Sequence, residues 1–402
     1  MGCTEPIAMA YAAAEARRTL GKMPDRIDIV ISGNIIKNVK SVVVPNTGGL
    51  KGITAAVAAG TVVGDADKQL EVLSSVKPEE IPRVAEFIGS CEMTVMKSDS
   101  GKLLDIDLHM YAGTDSVRLR ICDNHTNIVL IEKNGETLFK KDSSDGKSSE
   151  TDRNVLNVRD ILDFAGSVRL EDVSDVLERQ IDYNLAISEE GLSGNYGASI
   201  GKTLLETRGD DVRVRARAQA AAGSDARMSG CELPVVIVSG SGNQGMTASL
   251  PVIVYALDMH ASHEQLLRAL VVSNLITIHQ KTPIGRLSAF CGAVSAGCGA
   301  AAGVAWLVDG TYEAVSATIT NTLGMISGTV CDGAKPSCAT KIASAVEAGL
   351  LGFDLYEKGK ALHGGDGILK NDVEKTIESV GQLAREGMRE TDEEILDIML
   401  DE

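Results

Sequence analysis

LDIDLHMYAGTDSVRLRI, residues 104–121, alternates apolar and polar residues on both sides of a glycine turn. Leu104, Ile106, Leu108 and Met110 interleave with Asp105, Asp107 and His109, and after Gly113-Thr114-Asp115 the apolar series resumes at Val117, Leu119 and Ile121. A period of two belongs to a strand with one buried and one solvated face, so the two runs predict an antiparallel pair. Ile128 to Glu132 reads as a third strand, closing at the turn signal Asn134-Gly135.

Upstream, Ala8 to Leu20 (AMAYAAAEARRTL) predicts an Ala-rich helix with basic residues towards its end. Ile27 to Val44 is rich in β-branched residues and broken by Ser32-Gly33-Asn34, which reads as two strands around a turn. Pro45-Asn46-Thr47-Gly48-Gly49 precedes another Ala-rich helix. Downstream, Lys140 to Arg153 carries no apolar residue and reads as a linker. Beyond residue 155 long helical patterns alternate with Gly-rich loops. Near the end, Asn371 with Glu374 and Thr391 with Glu394 have capping-box spacing, while Val373, Ile377, Val380 and Ala384 keep a helical period.

The expected fold class is therefore α+β, a helical body with a smaller antiparallel-sheet unit in the N-terminal third. In residue terms, 1–65 and 154–402 form a mainly helical catalytic domain. Residues 66–153 form the α+β subdomain, whose sheet strands at 27–44 can join.

The 402 residues carry a net charge of −17 with 3% aromatics, which excludes the phosphate-neutralising surface and stacking platforms of a nucleic-acid binder. No basic stretch followed by an apolar run opens the chain, so no secretory signal is expected, and the compartment expected is the cytoplasm. Ala289 to Val308 is free of charge, but its Ala, Gly, Ser and Cys gain little from lipid. A buried small-residue helix is expected there, and no membrane contact.

Four of the eight cysteines, Cys291, Cys298, Cys331 and Cys338, gather in Gly/Ala-rich surroundings (SAFCGAVSAGCGAAAG and GTVCDGAKPSCATK). Their spacing is not that of a zinc site; thiolates from separate loops closing on an iron–sulfur cluster fit better. The Gly/Pro turn CDGAKPSC lets Cys331 and Cys338 converge. On a helix, Cys291 and Cys298 would stand ~10 Å apart along the axis, so one of that pair is the expected third ligand. Cys91, Cys122 and Cys231 read as buried inert thiols. The loops Asn46-Thr47-Gly48-Gly49, Ser193 to Gly197 and Ser239 to Gly245 (SGSGNQG) could each hold a small anion on backbone N–H groups. The third follows Val235 to Val238, which reads as a strand, and precedes a helix. The histidines form no metal set, and only His279 stands near a cysteine loop.

MGCTEPIAMA, VPNTGG, SGSGNQG, KTPIGRLSAFCG, GTVCDGAKPSCATK and HGGDGI follow one another across the chain. With these six motifs the sequence resembles the L-cysteine desulfidase family, related to the alpha chain of iron–sulfur L-serine dehydratases. The resemblance implies a lyase independent of pyridoxal phosphate, with a [4Fe–4S] cluster held by three cysteines and one open iron. The implied reaction converts L-cysteine to pyruvate, ammonia and sulfide. The implied ligands are Cys291, Cys331 and Cys338, and the implied base for the α-proton is Cys3, with Glu5 as the alternative. Family members usually carry a helix ahead of CTEP, whereas here the motif begins at Met1, so a truncated chain or a misassigned start is expected. Ser241, Gly242 and Asn243, with Asn46, Thr47 and Lys335, are the candidates for gripping the substrate.

An L-serine dehydratase using the same cluster is the nearest alternative. A pyridoxal-phosphate lyase built on Lys281 or Lys335, and a non-catalytic iron–sulfur sensor, are the others. The expected partners are a small amino-acid substrate and a second copy in a homodimer.

Overall fold

The computed structural model describes residues 4–141, 151–285 and 288–401. Cys3 and most of the expected linker at 140–153 lie outside the described residues.

The first helix, α1 (Thr4–Leu20), begins four residues before the predicted start. β1 (Arg26–Ile31) follows it. The second strand expected in Ile27 to Val44 is instead a helix, α2 (Gly33–Val39). The β-branched residues misled the expectation: Ile35, Ile36 and Val39 are buried on one helical face, a spacing a strand would divide between two faces. α3 (Gly52–Val63) and α4 (Ile81–Ser90) lead to β2 (Glu92–Lys97), a strand the sequence did not reveal. β3 (Asp105–Ala112), β4 (Asp115–Cys122), β5 (Ile128–Lys133) and β6 (Glu136–Lys140) follow.

The six strands form one sheet in the order β2-β1-β3-β4-β5-β6. It is antiparallel except at β1 and β2, which pair in parallel because three helices make the crossover between them. One face (Ile27, Ile29, Ile31, Ile106, Leu108, Met110, Val117, Leu119 and Ile121) is buried in the same hydrophobic cluster as α1 and α3. The other face carries charged forks. Arg120 binds both oxygens of Asp105 (2.8 and 2.9 Å) and Arg118 grips Asp107 from the same strand. Burial works to raise the Asp105 carboxyl, yet the Arg120 fork holds it down at about 2.

The helical body has its own core, running from Val158 to Met388. Its helices are α5 (Val158–Ser167), α6 (Ser174–Ser193), α7 (Ile200–Arg208), α8 (Val212–Met228), α9 (Gly242–Asp258) and α10 (His263–Ile284). α11 (Gly292–Val308), α12 (Tyr312–Ile326), α13 (Cys338–Glu357) and α14 (Val373–Gln382) follow. A π-helical turn, Leu383–Gly387, joins α14 to α15 (Arg389–Leu400).

The uncharged run expected as a small-residue helix is α11, packed among α9, α10, α12 and α13. A side chain at Gly299 would sit 2.1 Å from Thr277 Oγ1, so α10 and α11 touch backbone to backbone there. No helix among the described residues is long and apolar enough to cross a membrane. Two local expectations fail. Val235 to Val238 is not a strand, and the expected capping boxes are absent: α14 is capped by Asp372, and Thr391 lies inside α15.

α15 returns to the N-terminal unit. Leu396 joins the core that contains α1 and the sheet, Lys37 pairs with Asp392, and Lys40 donates to the Met399 carbonyl. The seam between the two units therefore runs along α2.

Candidate active site

Along that seam lies a cavity of about 150 Å³. α1 and α2 contribute Thr4, Glu5, Asn34, Lys37 and Asn38. The helical body contributes Arg227, Ser239 to Ser241, Asn243, Gln244, Lys281, Phe290, Gly333 and the thiols of Cys291, Cys331 and Cys338.

Local folding explains how cysteines so far apart in sequence meet. Phe290 and Val330 form an isolated antiparallel bridge, and the Cys291 N–H donates to the Thr329 carbonyl at 3.0 Å. The two cysteine loops are thereby zipped together. Cys291 is the N-cap residue of α11 and Cys338 the first residue of α13, positions where a helix dipole favours a thiolate. The loop between Cys331 and Cys338 rests directly on α2. A side chain at Gly333 would lie 2.0 Å from the Lys37 carbonyl oxygen, and φ there is +95°.

The thiols are electrostatically distinct. Cys291 donates to the Cys331 sulfur; that hydrogen bond, helped by Lys37 and Lys281, draws Cys331 down against the effect of burial. The same contact and burial push Cys291 up. Burial also raises Cys338. Burial holds Lys281 down at about 8, although the neighbouring Cys331 and Cys291 sulfurs favour its charged form. Lys37 is only 3% exposed.

Cys298, one helical face further along α11, is 0% exposed, lies outside the cavity, and burial pushes it up to about 12. Among the described residues no three His, Cys, Asp or Glu side chains converge as a single metal ion requires. A cluster takes one thiolate per iron and so spreads its ligands more widely. Three thiols on one cavity wall, two at helix N-termini and with lysines beside them, suit an anionic iron–sulfur cluster.

Of the other residues named from the sequence, Glu5, Ser241 and Asn243 line the cavity and Gly242 lies between the last two. Asn46, Thr47 and Lys335 are not brought to it. Asn46 donates to the Leu73 carbonyl, and Thr47 is buried against the Val44 carbonyl at 2.7 Å, so that turn builds the fold. Lys335 pairs with Asp332 at 3.1 Å. His279 pairs with Glu374 at 2.7 Å, away from the cavity wall. Sequence reasoning missed Asn34, Lys37, Asn38 and Arg227, and named Gln244 only as part of the SGSGNQG loop.

The sequence profile of the serine dehydratase alpha chain family matches residues 67–397. Over its full length the chain is 56% identical to a UPF0597 protein of Desulfitobacterium hafniense, covering 94% of that protein. It is 52% identical to a UPF0597 protein of Lachnoclostridium phytofermentans (96% covered) and 49% identical to one of Treponema denticola (94% covered). The chain belongs to the serine dehydratase alpha chain family. A serine dehydratase is an amino-acid lyase.

Proposed function

We propose that the chain is an amino-acid lyase independent of pyridoxal phosphate, that Cys291, Cys331 and Cys338 hold a [4Fe–4S] cluster, and that its substrate is L-cysteine. The observation that carries this reading is the meeting of those three thiols, from two zipped loops, in a cavity that also holds Glu5 and buried cations. When bound, the cluster supplies Lewis acidity towards a carboxylate and a β-leaving group.

The protein's own residues do the remainder. The α-proton of an amino acid is weakly acidic and needs a positioned base. The CTEP segment provides it: Cys3 in the preferred assignment, although Cys3 lies outside the described residues, or Glu5, which lines the cavity in the first turn of α1. As the base takes the proton, the electron pair forms the α,β double bond and HS⁻ leaves. The aminoacrylate tautomerises to the imine, and water hydrolyses it to pyruvate and ammonia. Lys37 and Lys281 offset the negative charge of the thiolates, and Phe290, Ala293 and Ile342 keep that wall apolar.

Sulfur and oxygen leaving groups need the same framework, and the family's name favours L-serine as the second reading. Anaerobic reconstitution with iron and sulfide, then pyruvate assays with cysteine and serine side by side, tests both. Cysteine turnover exceeding serine turnover supports the proposal, and the reverse order moves the chain to the dehydratases. A borohydride-trapped lysine, with no dithionite-bleachable absorption, overturns the cluster reading.

A further inference from the structure

We infer that Arg227 is the anchor for the substrate's α-carboxylate, and that it restricts the cavity to amino acids whose carboxylate is free. The inference rests on the amino-acid-lyase reading above and adds the residue that recognises the substrate class.

Arg227 lies in the last turn of α8, amid buried Ala, Ser and Met and two residues after the buried Asp225, whose carboxylate accepts from the Gly201 N–H at 3.2 Å and forms no ion pair with Arg227. Three other arginines of the same helix have carboxylate partners: Arg213 with Asp354, Arg215 with Asp258, and Arg217 with Glu347 at 3.1 Å. Arg227 has none among the described residues, in a chain of 56 acidic residues. Its one polar contact is neutral, NH1 donating to Asn243 Oδ1 at 3.1 Å, and its Nε is buried without a partner. Desolvating a guanidinium costs free energy that a carboxylate normally offsets, so an acid-free one lining a cavity is arranged for an incoming anion.

The surroundings are fitted to that guanidinium. A side chain at Gly242 would lie 2.6 Å from Arg227 Nε and 3.0 Å from Cζ, so the SGSGNQG loop lies flush against it. The loop opens α9, a helix of 17 residues whose N-terminal dipole adds to the pull on an anion. Ser239 Oγ and Gln244 Oε1, both cavity-lining, are buried without partners, and Gln244 is only 8% exposed. Gln244 packs on Gly292, beside Cys291, and its carbonyl is the acceptor offered to the substrate ammonium. Of the other described cations lining the cavity, Lys37 is paired with Asp392, and Lys281 lies in the lining with Cys291, Cys331 and Cys338. Arg227 is left without an acidic partner among the described residues, and its planar fork matches a carboxylate bidentately.

The test uses the full-length chain. Calorimetric binding of L-alanine, which has the carboxylate and ammonium but no leaving group, is compared with L-alaninamide in protein without iron. The wild-type chain should prefer L-alanine. Arg227→Gln should bind L-alanine about 10²-fold more weakly and lose the preference, the usual consequence of removing one partner of a buried charged pair. Arg227→Lys should keep part of both. In the reconstituted enzyme Arg227→Gln should raise KM for L-cysteine at unchanged iron content. Should Arg227→Gln unfold, Asn243→Ala, which releases the fork and removes a cavity-lining amide, should weaken L-alanine binding by a smaller factor. Unchanged L-alanine affinity and preference in folded Arg227→Gln, or in Asn243→Ala, overturns the assignment. A wild-type chain that binds L-alanine through Arg227 but eliminates nothing when loaded refutes the lyase reading and leaves the anchor standing.

Discussion

Replacing Gly333 by alanine perturbs a close contact by which the cysteine loop rests against α2. The new methyl would sit 2.0 Å from the Lys37 carbonyl oxygen and 2.8 Å from its carbon. Both are backbone atoms of a buried helix, so no side chain can swing away. Overpacking of this kind costs roughly 1–3 kcal/mol. The left-handed φ of +95° adds roughly 1–2 kcal/mol for any residue with a Cβ. Together these predict a loss of about 2–5 kcal/mol. At roughly 2–4 °C per kcal/mol for a large domain, thermal unfolding should shift down by about 4–20 °C. Because the loop carries Cys331 and Cys338, iron retention after reconstitution should fall as well. Gly359→Ala is the control: its φ is +64°, but nothing lies within 4 Å, so it carries the backbone strain without the clash. Calorimetric unfolding and iron content of the two variants separate the effects. Gly333→Ala that unfolds with Gly359→Ala and keeps its iron would refute the placement of the loop on α2.

Cys3→Ser should leave iron content unchanged and lower cysteine turnover by about 10² or more, the usual contribution of a positioned base. Near-normal turnover there, with collapse in Glu5→Gln, would transfer the role to Glu5. Asp105 is 1% exposed and held at about 2 in the folded chain, below the ordinary carboxylate value of about 3.9. Its stabilisation is therefore complete above pH ~4 and lost as pH falls through 2. Asp105→Asn should cost roughly 3–5 kcal/mol near neutrality by leaving the Arg120 fork uncompensated, and should flatten the acid limb of a denaturation-against-pH profile.

The sheet was readable because its apolar residues keep the period of two: Ile106, Leu108 and Met110 join the hydrophobic core, while Asp105 and Asp107, buried as well, are paired with Arg120 and Arg118 on the other face. β2 was not, since an edge strand exposed at nearly every position (Glu92 to Lys97) carries no alternation to detect. The stretch after Ser32 was misread because short β-branched segments obey whichever partner packs on them, and here α1, α3 and α15 flank α2. At the site, the cysteine loops were legible through residue type and Gly/Pro chemistry. Lys37 and Arg227 were not, because their helices carry no motif and only tertiary packing turns them towards Cys331 and the SGSGNQG loop. Asn46 and Thr47 mislead in the opposite sense: a Gly-rich turn able to bind an anion spends its polar groups on Leu73 and Val44.

The central claim is that Cys331, with Cys291 and Cys338, holds the cluster. Iron and acid-labile sulfide per chain, measured after anaerobic reconstitution of the wild type, Cys331→Ser and Cys298→Ser, test it most directly. The account predicts a full cluster in the wild type and Cys298→Ser, and loss of iron and of dithionite-bleachable absorption in Cys331→Ser. Full iron retention in Cys331→Ser would contradict it.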